Sequence, residues 1–178
     1  MDFKKLFKKK SIFDYLTYLL VVAAGIAIDR VTKILAVKYL MPPEGNSVPI
    51  IKDVLHLTYL ENDGAAWGIL DNAPWVFNTV SVIMVVAITL YLALGHASSP
   101  AYGIALSMIV SGGVGNLIDR FGKGYVVDFI DFTLIDFPVF NGADCFVVIG
   151  AGMLILLLII DIINEARNKK GARGGEEK

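Results

Sequence analysis

Four apolar runs, at about residues 15–40, 75–94, 101–118 and 143–163, set what this chain can become. Each is close to the roughly 20 residues that a helix needs to cross about 30 Å of hydrocarbon. Inside a bilayer every backbone N–H and C=O must find its partner within the protein, so runs of this kind become helices. Composition agrees, since 56% of the 178 residues are hydrophobic and the mean hydropathy is +0.64. The expected fold is a membrane all-α bundle of four transmembrane helices.

The polar stretches decide how such a bundle sits. Lys4, Lys5, Lys8, Lys9 and Lys10 precede the first run, and Arg167, Lys169, Lys170, Arg173 and Lys178 follow the last. Basic residues favour the cytoplasmic side, so both termini are expected there, with an even number of spans. The first run is too long for a cleaved signal peptide and shows no small-residue cleavage site. Pro42 and Pro43 end the first helix, because proline removes a donor and fixes φ. The outer segment 41–73 reads as β-rich: Val48 to Leu60 is full of β-branched and aromatic residues, and Asp63-Gly64 is a usual hairpin pair. The rest, residues 1–168, forms a single domain, and 169–178 reads as a disordered tail.

Some functions are excluded early. A net charge of −1, with the lysines gathered at the chain ends, argues against nucleic acid as a partner. The one cysteine, Cys145, can form no internal disulfide, and no Cys/His spacing suggests a metal site. Cys145 reads as a small apolar residue rather than a nucleophile.

One stretch stands apart. Between Gly115 and Cys145 lie Asp119, Asp128, Asp131, Asp136 and Asp144, with Asn116, Arg120 and Asn141 among them. Ionisable groups at a membrane border are functional candidates. In the expected topology Asp29, Lys33, Asn62, Asn116 to Arg120 and Asn141 to Asp144 all reach the same outer face. Asp29 and Lys33, one helical turn apart, can pair. Asn116, Asp119 and Arg120 share a face, so the Arg120 fork can hold Asp119 or a substrate carbonyl.

Asn141 and Asp144 have an ordinary explanation as a capping box at the start of the last helix. That leaves Asp128, placed between Val127 and Phe129, where a lone carboxylate is costly. Two carboxylates brought together there share a proton, so that one acts as base on water while the other polarises a carbonyl. A small proton-coupled transporter and a non-enzymatic lipid-binding scaffold compete with that hydrolase. The transporter needs polar groups on the inner half of the bundle, where spans two and four offer almost none.

At these residues the chain closely resembles the lipoprotein signal peptidase (signal peptidase II) family of bacterial aspartyl proteases. The resemblance is carried by Asp-x-x-x-Lys at Asp29 and Lys33, Asn-x-Gly-Ala-Ala from Asn62 through Gly64 to Ala66, and Gly-Asn-x-Ile-Asp-Arg from Gly115 to Arg120. Val-x-Asp-Phe from Val126 to Phe129 and Phe-Asn-x-Ala-Asp from Phe140 to Asp144 complete it. It implies that Asp128 and Asp144 are the catalytic dyad. Asn62, Gly64, Asn116, Arg120 and Asn141 then bind or orient substrate, and Asp29, Lys33 and Asp119 support the site.

The resemblance also implies a small extracytoplasmic β-rich cradle, a bacterial inner-membrane location and neither cofactor nor metal. Its expected substrates are diacylglyceryl-modified prolipoproteins, cut just before the lipidated cysteine, with membrane lipid as neighbour, globomycin as inhibitor and a monomer as the working form. Trp67 stands where the family pattern leads one to expect Phe, which bears on the shape of the groove and not on the dyad.

Overall fold

A computed structural model describes residues 10–41, 47–64, 74–135 and 137–176. The lysines Lys4 to Lys9, the helix-breaking Pro42 to Gly45, the motif residues Ala65 and Ala66, Trp67, Asp136 and Lys178 lie outside them. Four helices and one small sheet make up the fold: α1 (Ile12–Leu40), α2 (Pro74–Ala93), α3 (Pro100–Lys123) and α4 (Gly142–Glu176), with β1 (Ser47–Ile51), β2 (Leu55–Asn62) and β3 (Val126–Asp131).

Three of the helices, α2, α3 and α4, are long and apolar enough to cross a membrane. The other, α1, spans 29 residues but carries Asp29, Arg30, Lys33 and Lys38 in its second half. Helix α3 is the centre of the bundle, packed against each of the other three. Half of its apolar window is buried, against 6% for α2 and for α4, whose apolar faces are left for lipid. Glycines allow this packing. A Cβ on Gly112 would run into the Ala143 carbonyl of α4, one on Gly113 into Val85 of α2, and one on Gly115 into Asp29 of α1. Three close neighbours thus meet three small residues on one helix.

Two expected boundaries change. The third helix runs on to Lys123 rather than stopping near Ile118, and closes on Gly124, whose φ of 89° lets its N–H reach the Arg120 carbonyl. Helix α4 continues to Glu176, through most of the segment expected to be an unstructured tail. That stretch contains no helix-breaking proline, and Glu165 and Lys169 pair at 2.8 Å across one turn.

The sheet is antiparallel in the order β1-β2-β3. Its hairpin turn falls at Lys52 to Val54, with Asp53 at φ 58°, and not at Asp63-Gly64 as expected. Aspartate tolerates that left-handed conformation. At the other end of β2, the Gly64 N–H donates to Asn62 Oδ1 (3.1 Å), a local turn that holds the Asn62 side chain. The third strand comes from the connection between α3 and α4.

Candidate active site

The site lies at one end of the bundle, where the C-terminal ends of α1 and α3 meet the N-terminal end of α4 and the sheet. Register places its first two members. Asn62 sits opposite Val126 across the β2–β3 pair, so Asp128, two residues on, shares its face. Asn62 Nδ2 accordingly donates to Asp128 Oδ2 at 2.7 Å.

A second clip brings in α4. Phe140 exchanges backbone hydrogen bonds with Ile130 (2.8 and 3.0 Å), which seats the residue before the N-cap of α4 against β3. Asn141 then caps the helix as the sequence suggested: its Oδ1 accepts from the Asp144 N–H, and Asp144 Oδ2 accepts from the Asn141 N–H, both at 3.1 Å. The capping box and the candidate site are one arrangement. The free Nδ2 of Asn141 points inward, donating to Asp128 Oδ1 at 2.5 Å and to Asn116 Oδ1 at 3.2 Å. Asn116 Nδ2 in turn donates to Asp144 Oδ1 at 2.8 Å. Asp128 and Asp144 are therefore joined through two neutral amides.

Both carboxylates line a cavity of about 520 Å³ together with Asn62, Gly64 and Arg120. Its apolar wall includes Phe137, Val139, Phe140, Val148 and Ile149, and Cys145 lies there too. Burial pushes the Asp128 carboxyl up to about 6 from 3.8. The donors on Asn62 and Asn141 pull it down, and the neighbouring Asp144 charge adds to the rise. Among the described residues no three of His, Cys, Asp and Glu come together as metal ligands would.

Behind this cavity stands a buried ionic cluster. Lys33 Nζ reaches Asp29 Oδ1 (3.1 Å), Asp119 Oδ2 (3.0 Å) and Asn116 Oδ1 (2.8 Å), which uses all three of its donors. Every member touches the backbone or side chain next to a candidate acid. Asp29 Oδ1 accepts from the Ala143 N–H (3.1 Å), and Asp119 Oδ2 from the Val127 N–H (3.2 Å). By holding the oxygen of Asn116, Lys33 turns its amide nitrogen toward Asp144.

The expected pairing of Asp29 with Lys33 is present. The alternative left open for Arg120 is resolved: Asp119 is held by Arg30 (2.8 Å), Lys33 and Lys123 (3.4 Å), while Arg120 turns into the cavity. Sequence reasoning missed Arg30, which also grips Asp29 Oδ2 at 2.7 Å and the Gly115 carbonyl at 3.0 Å. Its signal was available, since two buried acids facing one lysine call for a second cation. His56 lies apart, its Nδ1 3.0 Å from Ser47 Oγ on the sheet.

Comparison with known proteins identifies the family. Residues 21–160 match the family described as Signal peptidase (SPase) II. The chain is 46% identical over 144 residues to the lipoprotein signal peptidase of Brevibacillus brevis, covering 81% of this chain and 95% of that one. It is also 46% identical over 142 residues to that of Caldanaerobacter subterraneus, covering 79% and 94%. A bacterial membrane enzyme solved by the in meso method at 2.3 Å superposes with a TM-score of 0.74 at 34% identity, over 83% of this chain and 90% of that one. A second, solved at 1.9 Å, gives 0.71, also at 34% identity, over 80% and 92%. With the family match over residues 21–160, the relatives' identity and the fold in agreement, the chain belongs to the signal peptidase II family.

Proposed function

We propose that this chain is a membrane aspartic endopeptidase that releases the signal peptide from diacylglyceryl-modified prolipoproteins, with Asp128 and Asp144 as its catalytic pair. The observation that carries the reading is the pair itself: two carboxylates from different elements line one cavity, linked through the amides of Asn141 and Asn116, with Arg120 on the same wall.

Two acids so placed share one proton, and burial favours Asp128 as its holder. Asp144 then acts as base. It takes a proton from water as the water oxygen attacks the scissile carbonyl carbon, while protonated Asp128 hydrogen-bonds the carbonyl oxygen and neutralises it as it becomes tetrahedral. Collapse breaks the C–N bond as Asp144 gives the proton it took from water to the departing amine of the cysteine, and Asp128 recovers its proton from the hydroxyl that becomes the new carboxyl's carbonyl oxygen. No covalent intermediate with the enzyme forms. Arg120, Asn62 and Gly64 line the same cavity and hold the peptide. Asn116 and Asn141 orient the acids, and Asp29, Lys33 and Asp119 fix the elements on which they ride.

The substrate's acyl chains stay in the bilayer. Val148 and Ile149, 69% and 53% exposed on α4, continue the cavity wall onto the lipid-facing surface. The scissile bond can thus be reached from the side. In this reading α1 is the fourth span, both termini are cytoplasmic, and the site faces outward under the three-stranded sheet. The working form is a monomer needing no cofactor, and globomycin is its inhibitor.

Incubating the purified protein with a lipidated precursor tests this. A product whose mass places the cut immediately before the lipid-bearing cysteine is expected, and an uncut precursor, or a cut elsewhere, would refute it.

A further inference from the structure

A second cavity, of about 370 Å³, lies between α1 and the end of α3, lined by Arg30, Lys33, Ile34, Val37, Lys38 and Lys123. It shares no lining residue with the cavity that holds Asp128 and Asp144. Four of its six residues are cations and the other two are aliphatic. We propose that it binds the phosphate headgroup of an anionic phospholipid.

The charges are unevenly matched. Arg30, Lys33 and Lys123 share only the carboxylates of Asp29 and Asp119. Lys38 has no carboxylate within ion-pair distance among the described residues, and its Nζ rests 5.1 Å from the Tyr39 ring centre. The cluster therefore carries two positive charges in excess. Donors remain for a ligand: Arg30 Nη1 gives one of its two N–H groups to Asp119, and Lys38 gives none to a described acceptor. The N–H left on Arg30 Nη1 can take one phosphate oxygen and the Lys38 ammonium another.

Depth identifies the phosphate as lipid. Lys38 lies in the last turn of α1 and Lys123 ends α3, so both stand at the membrane border rather than within it. One turn further in, Ile34 is 63% exposed and offers an apolar wall to the first methylenes of an acyl chain. Complementing the helix dipoles accounts for a lysine at each C-terminus. It does not account for Arg30 or for a cavity between them. Lysines and arginines clustered beside a membrane surface attract anionic headgroups.

The test uses the full chain in detergent, titrated with phosphatidylglycerol, phosphatidylcholine or glycerol 3-phosphate and followed by native mass spectrometry and thermal unfolding. Phosphatidylglycerol should bind at least about tenfold more tightly than phosphatidylcholine and raise Tm. Lys38→Gln, which touches no carboxylate, should weaken binding about fivefold, and the Lys38→Gln, Lys123→Gln pair about 25-fold. Equal retention of the two lipids would overturn the proposal, as would wild-type affinity in the double variant. Displacement of lipid by millimolar glycerol 3-phosphate would assign the cavity to a soluble phosphate and overturn the lipid assignment.

Discussion

Two groups of carboxylates lie side by side in this protein, all buried except the half-buried Asp144, and they are satisfied in opposite ways. Asp29 and Asp119 face cations: Arg30, Lys33 and Lys123 hold them at 2.7 to 3.4 Å. Asp128 and Asp144 face amides: Asn62, Asn116 and Asn141 donate to them at 2.5 to 2.8 Å. A carboxylate beside fixed cations is tied to them by Coulomb attraction. Asp128, which accepts from neutral amides and is pushed upward by burial, keeps both protonation states within reach. In the proposed mechanism the first group holds elements together and the second passes a proton.

Substitution should separate the two sharply. Asp128→Asn and Asp144→Asn should each lower cleavage by about 10³- to 10⁴-fold in a steady-state assay while membrane insertion is unchanged. Activity within tenfold of wild type in either well-folded variant would remove that acid from the chemistry. Lys33→Met should instead act on the fold. It leaves Asp29 and Asp119 short of a buried partner, which costs about 3–5 kcal/mol in a denaturation experiment.

Neutralising Asp128 should have the opposite sign. Its carboxyl is raised in the folded state from 3.8 to about 6, so its contribution to stability is full below 3.8 and is lost as pH rises through 6. Asp128→Asn should therefore be more stable than wild type at pH 8, by up to about 3 kcal/mol for roughly two pH units. A loss of stability there would place Asp128 with the bracing group. The smallest effects are on the titration itself. Asn62→Ala removes a donor that favours the ionised form and should raise the midpoint of Asp128. Asp144→Asn removes the like charge and should lower it. Infrared titration of the carboxyl band reads both.

Much of this was legible in the chain. Hydropathy located the helices, Asn141 and Asp144 announced the start of α4, and Asp128 drew notice because nothing in its apolar run could offset its charge. The third strand was hidden for a physical reason. Val126, Val127, Asp128 and Phe129 are all buried, so the polar and apolar alternation that marks a half-exposed strand is missing. Its pairing with β2 also joins residues more than sixty positions apart, which no local pattern encodes. Asp53 misled the placement of the hairpin, since an aspartate without a following glycine adopted the left-handed turn. Arg30 escaped because neighbours in sequence point to different helix faces, and only its long side chain bends back to Asp29.

The distinction between the two groups rests on where the shared proton sits, and infrared difference spectra of wild type against Asp128→Asn, recorded from pH 4 to 8, measure it. A protonated carboxyl band that disappears with a midpoint near 6, and is missing from the variant, is the expected result. A wild-type band already gone by pH 5 would mean that Asp128 is an ordinary ionised carboxylate, and would contradict the assignment of Asp128 as the proton holder of the pair.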